Sequence, residues 1–149
     1  MAEKYIDIDT LKYLLYDIHN LEELLVRDRF QDHDKESLDM FIDSVKEFAD
    51  RELFPYVKEM DENPAYHKDG KVFVHDQVKT MMHKGGEMGL ISAPFNYEDG
   101  GMQIPFLSHT AATYILDAAN NHLPGYAGLT QGAAELIIHF ANKELNQTY

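Results

Sequence analysis

Between Ile104 and Ala141 the chain carries only Asp117 and Glu135 among its Asp, Glu, Lys and Arg residues, although the whole sequence has a formal net charge of -13. That contrast limits the fold more than any single motif. Two helical patterns lie inside the run. Leu107, Ala111, Tyr114, Ile115 and Ala118 recur at i, i+4, i+7, i+8 and i+11, and Leu129, Ala133, Leu136, Ile137 and Phe140 repeat the spacing. Such spacing puts each set on one helix face. The remaining positions are mostly Ala, Ser, Thr, Gln and Gly, so little of either helix is built to face water. We therefore expect this pair at the centre of the domain, covered on several sides. The stretch Gly86–Gly101, GEMGLISAPFNYEDGG, is the loop that delivers the chain to it.

The 149 residues suffice for one domain with a sizeable core. The acidic balance argues against nucleic acid, whose phosphates would be repelled, and against an anionic membrane surface. No apolar run approaches the ~20 residues of a spanning helix. MAEKYIDID lacks the basic-then-apolar layout of a signal peptide. With no Cys there is no disulfide framework, thiol nucleophile or zinc-thiolate site. A cytoplasmic location is the simplest expectation.

Along the chain, Asp9 or Thr10 is suited to cap a first helix with Leu11, Leu14, Leu15 and Ile18 as its stripe. Asn20 is placed to cap a second short piece carrying Leu21, Leu24 and Leu25, and Arg27–Lys35 reads as a polar linker. Asp34 opens a long helix whose inner face is marked by Met40, Phe41, Val45, Phe48, Ala49 and Leu53. Pro55 predicts a kink and Asn63-Pro64 an end. Its charges, Asp43, Lys46, Glu47, Asp50 and Arg51, form a solvated face. Asp69-Gly70 is a turn signal, and the segment near 66–74 reads as a hairpin-like loop lying on the helices. Asp76 can cap a helix with Val78, Met81 and Met82 inward, the Met pair filling core. Pro105 suits the start of the next helix, and Asn120–Gly125 joins the central pair. Asn142 caps a last helix that stops at Tyr149, barely two turns in. From that stop we expect the chain to be part of a longer protein. The fold class is all-α: a bundle of six or so helices, with no sheet larger than a hairpin.

Chemistry is sparse. Eight His residues invite a metal hypothesis, and Glu135/His139, His83/Glu87 and His19/Glu23 stand at i, i+4. However, the HExxH pattern and the paired Glu-x-x-His of a di-iron bundle are missing, so no metal is expected. There is no phosphate loop, no GxGxxG fingerprint and no nucleophile elbow. Read on residues alone, this is an acidic helical domain without an evident active site.

The order of features says more. RELFPYVKEMDE, Arg51–Glu62, is followed by a helix into Gly89-Leu90, then APFNYEDGG, Ala93–Gly101, then two small-residue helices and ANKELNQTY. This resembles the N-terminal helical domain of the acyl-CoA dehydrogenase family, over about residues 36–149. The PxxYGG-type loop is its most specific piece, and here Glu98 and Asp99 stand between Tyr97 and Gly100. The final motif has Ala141-Asn142 where the family has Gly-Thr. HKDGKVFV, His67–Val74, together with the helical residues 5–30 and GGMQIP, Gly100–Pro105, is similar to the methylmercaptopropionyl-CoA dehydrogenase-like branch. Residues 1–33 would then be an N-terminal helical extension and 34–149 the family's N-terminal domain.

The resemblance implies a three-domain enzyme that oxidises an acyl-CoA thioester to its α,β-enoyl form, with FAD as cofactor. It also implies acyl-CoA and an electron-transfer flavoprotein as partners and a homo-oligomer. The catalytic Glu and the main FAD contacts lie in domains beyond this sequence, so no catalytic residue is expected here. Cofactor-binding residues stay unknown, and the chain alone should neither turn over acyl-CoA nor retain FAD. What it can supply is the floor of the acyl pocket, at Gly128, Leu129, Gly132 and Ala133. Helix–helix packing by small residues is the competing reading of those four positions. Two other classes remain open: a stand-alone helical interaction module, and a family relative with diverted chemistry such as a nucleic-acid-associated flavoprotein.

Overall fold

A computed structural model describes residues 5–148; Met1 to Lys4 of the expected extension and Tyr149 of the final motif lie outside the described residues. Among the described residues there are eight α-helices and one two-stranded hairpin. Helix α1 spans Ile8–Tyr13, and its cap is Asp7, whose carboxylate accepts from Thr10 N at 3.1 Å, rather than Asp9 or Thr10. A π-turn, Leu14–Ile18, follows, closed by the i→i+5 bond from His19 N to Leu14 O at 2.9 Å. The extra residue rotates the apolar stripe. Leu15 and Tyr16 turn inward, while Leu14 and Ile18, expected inside, are exposed. Asn20 adopts φ 50° in place of a side-chain cap and starts α2, Leu21–Leu25, with Leu21 fully buried.

Helix α3, Lys35–Glu52, starts at the expected Asp34, completed into a capping box by Ser37. Leu38, Ile42, Val45, Phe48 and Ala49 form its inner stripe, whereas Met40 is exposed. Pro55 ends the helix instead of kinking it. The chain passes through a 3-10 turn, Phe54–Tyr56, into α4, Val57–Glu62. Two side chains from elsewhere in the fold reach the carbonyls at this break. Gln77 Nε2 donates to Glu52 O at 2.7 Å and Asn120 Nδ2 donates to Leu53 O at 3.0 Å. Both amides are buried. Gln77 satisfies a carbonyl that Pro55, lacking an N–H, cannot serve, and Asn120 adds a second donor to Leu53 O, which already accepts from Tyr56 N at 3.1 Å.

The buried Glu52 carboxylate accepts from Lys84 Nζ at 2.7 Å and Arg51 Nε at 3.0 Å. The Lys84 contact, against the opposing effect of burial, holds the Glu52 carboxyl below its ordinary 4.5. A depressed carboxylate stabilises the fold above the unfolded value and loses that contribution as pH falls through the folded one. Glu52→Gln should therefore cost about 2 kcal/mol at pH 7. It should also flatten the loss of stability that wild type suffers on acidification below about pH 4.5. Urea midpoints at pH 7 and pH 3.5 check both; parallel pH profiles would refute the assignment.

Strands β1, Tyr66–Lys68, and β2, Lys71–Phe73, pair antiparallel around Asp69-Gly70, whose φ values of 51° and 74° are those of a type I′ turn. The hairpin does not lie on the helices: all six strand residues are exposed, and Tyr66 stacks on Phe73 at 5.1 Å. Helix α5, Asp76–Glu87, is capped by His75, whose Nδ1 accepts from Gln77 N, not by Asp76.

Helix α6, Phe106–Asn120, is the central one, packed along α3 with Ala111, Ala112, Ile115, Leu116 and Ala119 buried. Its partner α7, Pro124–Phe140, lies at the periphery with Pro124 its one buried residue. The expected inner face of α7 points outward: Leu129 is 79%, Leu136 63% and Phe140 82% exposed. Helix α8, Lys143–Thr148, starts as expected at Asn142, whose Oδ1 accepts from Leu145 N. No helix among the described residues is long and apolar enough to cross a membrane.

Candidate functional site

The loop between α5 and α6 folds back on itself. Met102 N and Ile104 N both donate to Ala93 O at 3.2 Å, Gln103 N donates to Phe95 O at 2.9 Å, and Gly101 N donates to Asn96 O at 3.0 Å. The segment 27–35, read as a linker, is docked on this loop. Arg29 reaches Asn96 Oδ1 and Pro94 O, His33 Nε2 lies 2.9 Å from Met102 O, and Gln103 Nε2 donates to Arg29 O at 2.6 Å. The loop thereby holds a fixed course and sets the start of α6 at Phe106.

Where α7 leans on α6 it leaves a groove of about 440 Å³. Met81 and Leu90 form one wall, Ala112 and Leu116 of α6 the base, and Pro124, Ala127 and Gly128 of α7 the other wall. The volume falls in the range of small-molecule sites. Polar side chains interrupt this apolar lining, among them His109, Gln131 and Asp117. His109, only 9% exposed, places Nε2 3.0 Å from Gln131 Oε1. Burial pushes the His109 imidazole below its usual value, against the opposing pull of the Gln131 hydrogen bond and the Glu135 charge, so the ring is neutral at pH 7. Further along α6, Asp117 lines the groove with no cation beside it among the described residues, and burial raises its carboxyl.

Of the four residues expected in a pocket, Gly128 lines this groove. Gly132 sits on the next strip of α7, in a shallow dish with Glu135, Leu136, His139 and Phe140. Leu129 and Ala133 face solvent. The structure thus places Gly128 at the groove and leaves Gly132, Leu129 and Ala133 on the exposed surface of α7. A Cβ built on Gly128 or on Gly132 meets nothing within 4 Å. Packing inside this chain therefore gives no reason for either glycine.

His109, Gln131 and Asp117 were not singled out by sequence reasoning. One signal was available: His109 and Gln131 stand at equal sequence distance on either side of Asn120, as facing residues do in an antiparallel helical hairpin. As for the His–Glu pairs, His139 Nδ1 bonds the Glu135 backbone carbonyl, and His83 pairs with Glu87 at 3.4 Å on the surface. Among the described residues no three His, Asp or Glu side chains converge.

Comparison with known families gives one result that covers most of the chain. Residues 35–149 match the family model described as acyl-CoA dehydrogenase, N-terminal domain. No curated protein matches the chain.

Proposed function

Because the chain belongs to the acyl-CoA dehydrogenase family, matching its N-terminal domain, we propose that it serves a flavin-dependent enzyme oxidising an acyl-CoA thioester to the α,β-enoyl-CoA. Its own share is to line the acyl pocket from α7, through Gly128, Leu129, Gly132 and Ala133. The observation that carries this is the pair of unneeded glycines. Each costs about 1 kcal/mol in a helix interior relative to Ala. A Cβ on either would meet none of the described residues within 4 Å, so what they leave room for lies outside them. An acyl chain sliding along α7 is such an object.

FAD is the family's cofactor, and neither glycine pair offers its phosphates a cradle of free N–H groups. Gly85 and Gly86 are inside α5, and at Gly100-Gly101 the backbone N–H groups are already spent on Tyr97 O and Asn96 O. This reading therefore gives the chain no part in flavin chemistry and leaves that to other segments of the enzyme, along with contacts to an electron-transfer flavoprotein. The hairpin at 66–73 and the helical segment before Asp34 support the methylmercaptopropionyl-CoA dehydrogenase-like branch, a cytoplasmic enzyme working as a homo-oligomer.

The test uses the chain itself. Gly128→Ala and Gly132→Ala should each stabilise it by about 0.5–1 kcal/mol, read by urea unfolding. In ¹⁵N NMR titrations hexanoyl-CoA should move the amides of Gly128, Leu129, Gly132 and Ala133, free CoA should not, and the two Ala variants should weaken the response. Shifts equal for hexanoyl-CoA and CoA would sink the pocket reading. The exposed Leu129, Leu136 and Phe140 favour a second reading, a helical protein-interaction module. It would gain from glycine variants that stabilise the chain while no acyl group binds.

A further inference from the structure

The groove between α6 and α7 holds one hydrogen-bond donor whose direction is fixed by a buried partner. His109 is neutral, so only one ring nitrogen carries a proton. Nδ1 is buried with no partner. If the proton sat there, the fold would bury an orphan N–H donor, which is rarer in proteins than an under-used acceptor. The proton therefore sits on Nε2 and is donated to Gln131 Oε1 across the 3.0 Å contact. With its oxygen so engaged, Gln131 turns its NH2 the other way. That NH2 has no partner among the described residues and is not sealed from solvent, and Gln131 lines the groove. Leu90, Ala112, Ala127 and Gly128 make the lining near it apolar, and the hydroxyls of Thr110 and Thr113, also in the lining, donate to Phe106 O and His109 O.

At the far end stands the opposite kind of group. Asp117 lies eight residues beyond His109 on α6, or about 12 Å along the helix axis. Its carboxyl is half-buried and unpaired by any cation among the described residues. A second carboxylate brought there would meet like charge at low dielectric.

We propose that the groove selects neutral acyl chains bearing a hydrogen-bond acceptor part-way along, held by the Gln131 amide, and rejects chains that end in a carboxylate. This rests on the acyl-pocket reading and narrows its substrate class. His109 acts through Gln131 and is a positioning residue.

Three N-acetylcysteamine thioesters of equal chain length test it on the intact 149-residue chain: pentanoyl, 4-oxopentanoyl and glutaryl. Binding is read from the amides of Thr113, Gly128 and Gln131. The 4-oxopentanoyl probe should bind about 3- to 10-fold more tightly than pentanoyl, the worth of one hydrogen bond, and glutaryl should bind weakest. Gln131→Met should erase the preference for the ketone, and Gln131→Glu, which replaces the donor with an acceptor, should do the same if the Met variant fails to fold. Asp117→Asn should bring glutaryl up to the pentanoyl level. Equal binding of pentanoyl and 4-oxopentanoyl overturns the proposal while leaving the acyl pocket standing, as does a ketone preference that survives both Gln131 variants. If none of the probes moves these amides the proposal also falls; the pocket reading is then judged separately by the hexanoyl-CoA response at Leu129, Gly132 and Ala133.

Discussion

Gly101→Ala should lower the stability of the chain by about 3–5 kcal/mol, enough to unfold much of it at physiological temperature. A Cβ at this position would stand 2.1 Å from Phe95 O, 2.4 Å from Phe95 C and 2.6 Å from Phe95 Cβ. The obstacle is mostly backbone, which cannot rotate away as a side-chain tip can. Nor can it retreat freely, because Phe95 N donates to Ser92 O and Phe95 O accepts from Gln103 N, both at 2.9 Å. Phe95 itself is buried. Moving it would release the loop, its clasp by Arg29, and the entry into α6. The neighbouring Gly100 makes a control. It sits at φ 76° with open space around its α-carbon, so Gly100→Ala should cost only about 1–2 kcal/mol of backbone strain. Urea unfolding of the two variants side by side decides the matter. A Gly101→Ala midpoint at or above that of Gly100→Ala would show that the loop yields where close packing says it cannot.

This loop also marks how far local pattern could be read. Gly86–Gly101 was recognisable as a loop, and so were Asp69-Gly70 as a turn and Asp34 as the start of α3, because caps and turns are chosen by residues within a few positions of one another. The clasp from Arg29, His33 and Gln103 was not, since it joins polar side chains to backbone carbonyls far along the sequence. Such bonds leave no period, and the segment carrying them looked like a linker. The π-turn at Leu14–Ile18 defeated the stripe of α1 for a related reason: one extra residue per turn shifts every later side chain, and nothing in LLYDI announces it.

The two uncharged helices separate what periodicity can and cannot decide. It found both helices. It named the inner face of α6 in part, through Ala111 and Ile115, although Tyr114 is exposed. For α7 it selected mostly the wrong side: of its five residues only Ile137 is partly buried. The helix docks through Pro124, Ala127, Gln131, Ala134, Ile137 and Ile138, most of which are small or polar, while Leu129, Leu136 and Phe140 face water. With Glu135 its sole charged residue, α7 has no polar face to fix its rotation, so its larger side chains misled the assignment. The candidate site inherited that uncertainty. Gly128 was reached because it lies at the margin between the two faces. His109 and Gln131 were missed because polar residues on an apolar helix are most cheaply read as surface.

The outward face of α7 carries the other large expectation. Leu129, Ala133, Leu136 and Phe140 form a strip without a charge along a helix of 17 residues. Apolar strips of this kind tend to find partners, and in solution a second copy of the chain is always present. The net charge of -13 opposes that encounter. Salt shortens the reach of the repulsion from about 10 Å at 0.1 M to about 3 Å at 1 M while leaving the apolar attraction intact. Association should therefore strengthen as salt is raised, the reverse of what an ion-paired interface would do. The chain should sediment as a dimer or larger at tens of micromolar protein in 1 M salt and dissociate as salt is lowered. Leu136→Glu should keep it monomeric throughout. Leu136 is 63% exposed, so the substitution should change stability by no more than about 0.5 kcal/mol, and an unchanged melting temperature would separate lost adhesion from lost fold. A wild-type chain that is monomeric at high salt would mean that the strip is too narrow to hold a partner by itself. Its exposure would then have to be explained by ligand access along α7, the role already given to Gly128 and Gly132.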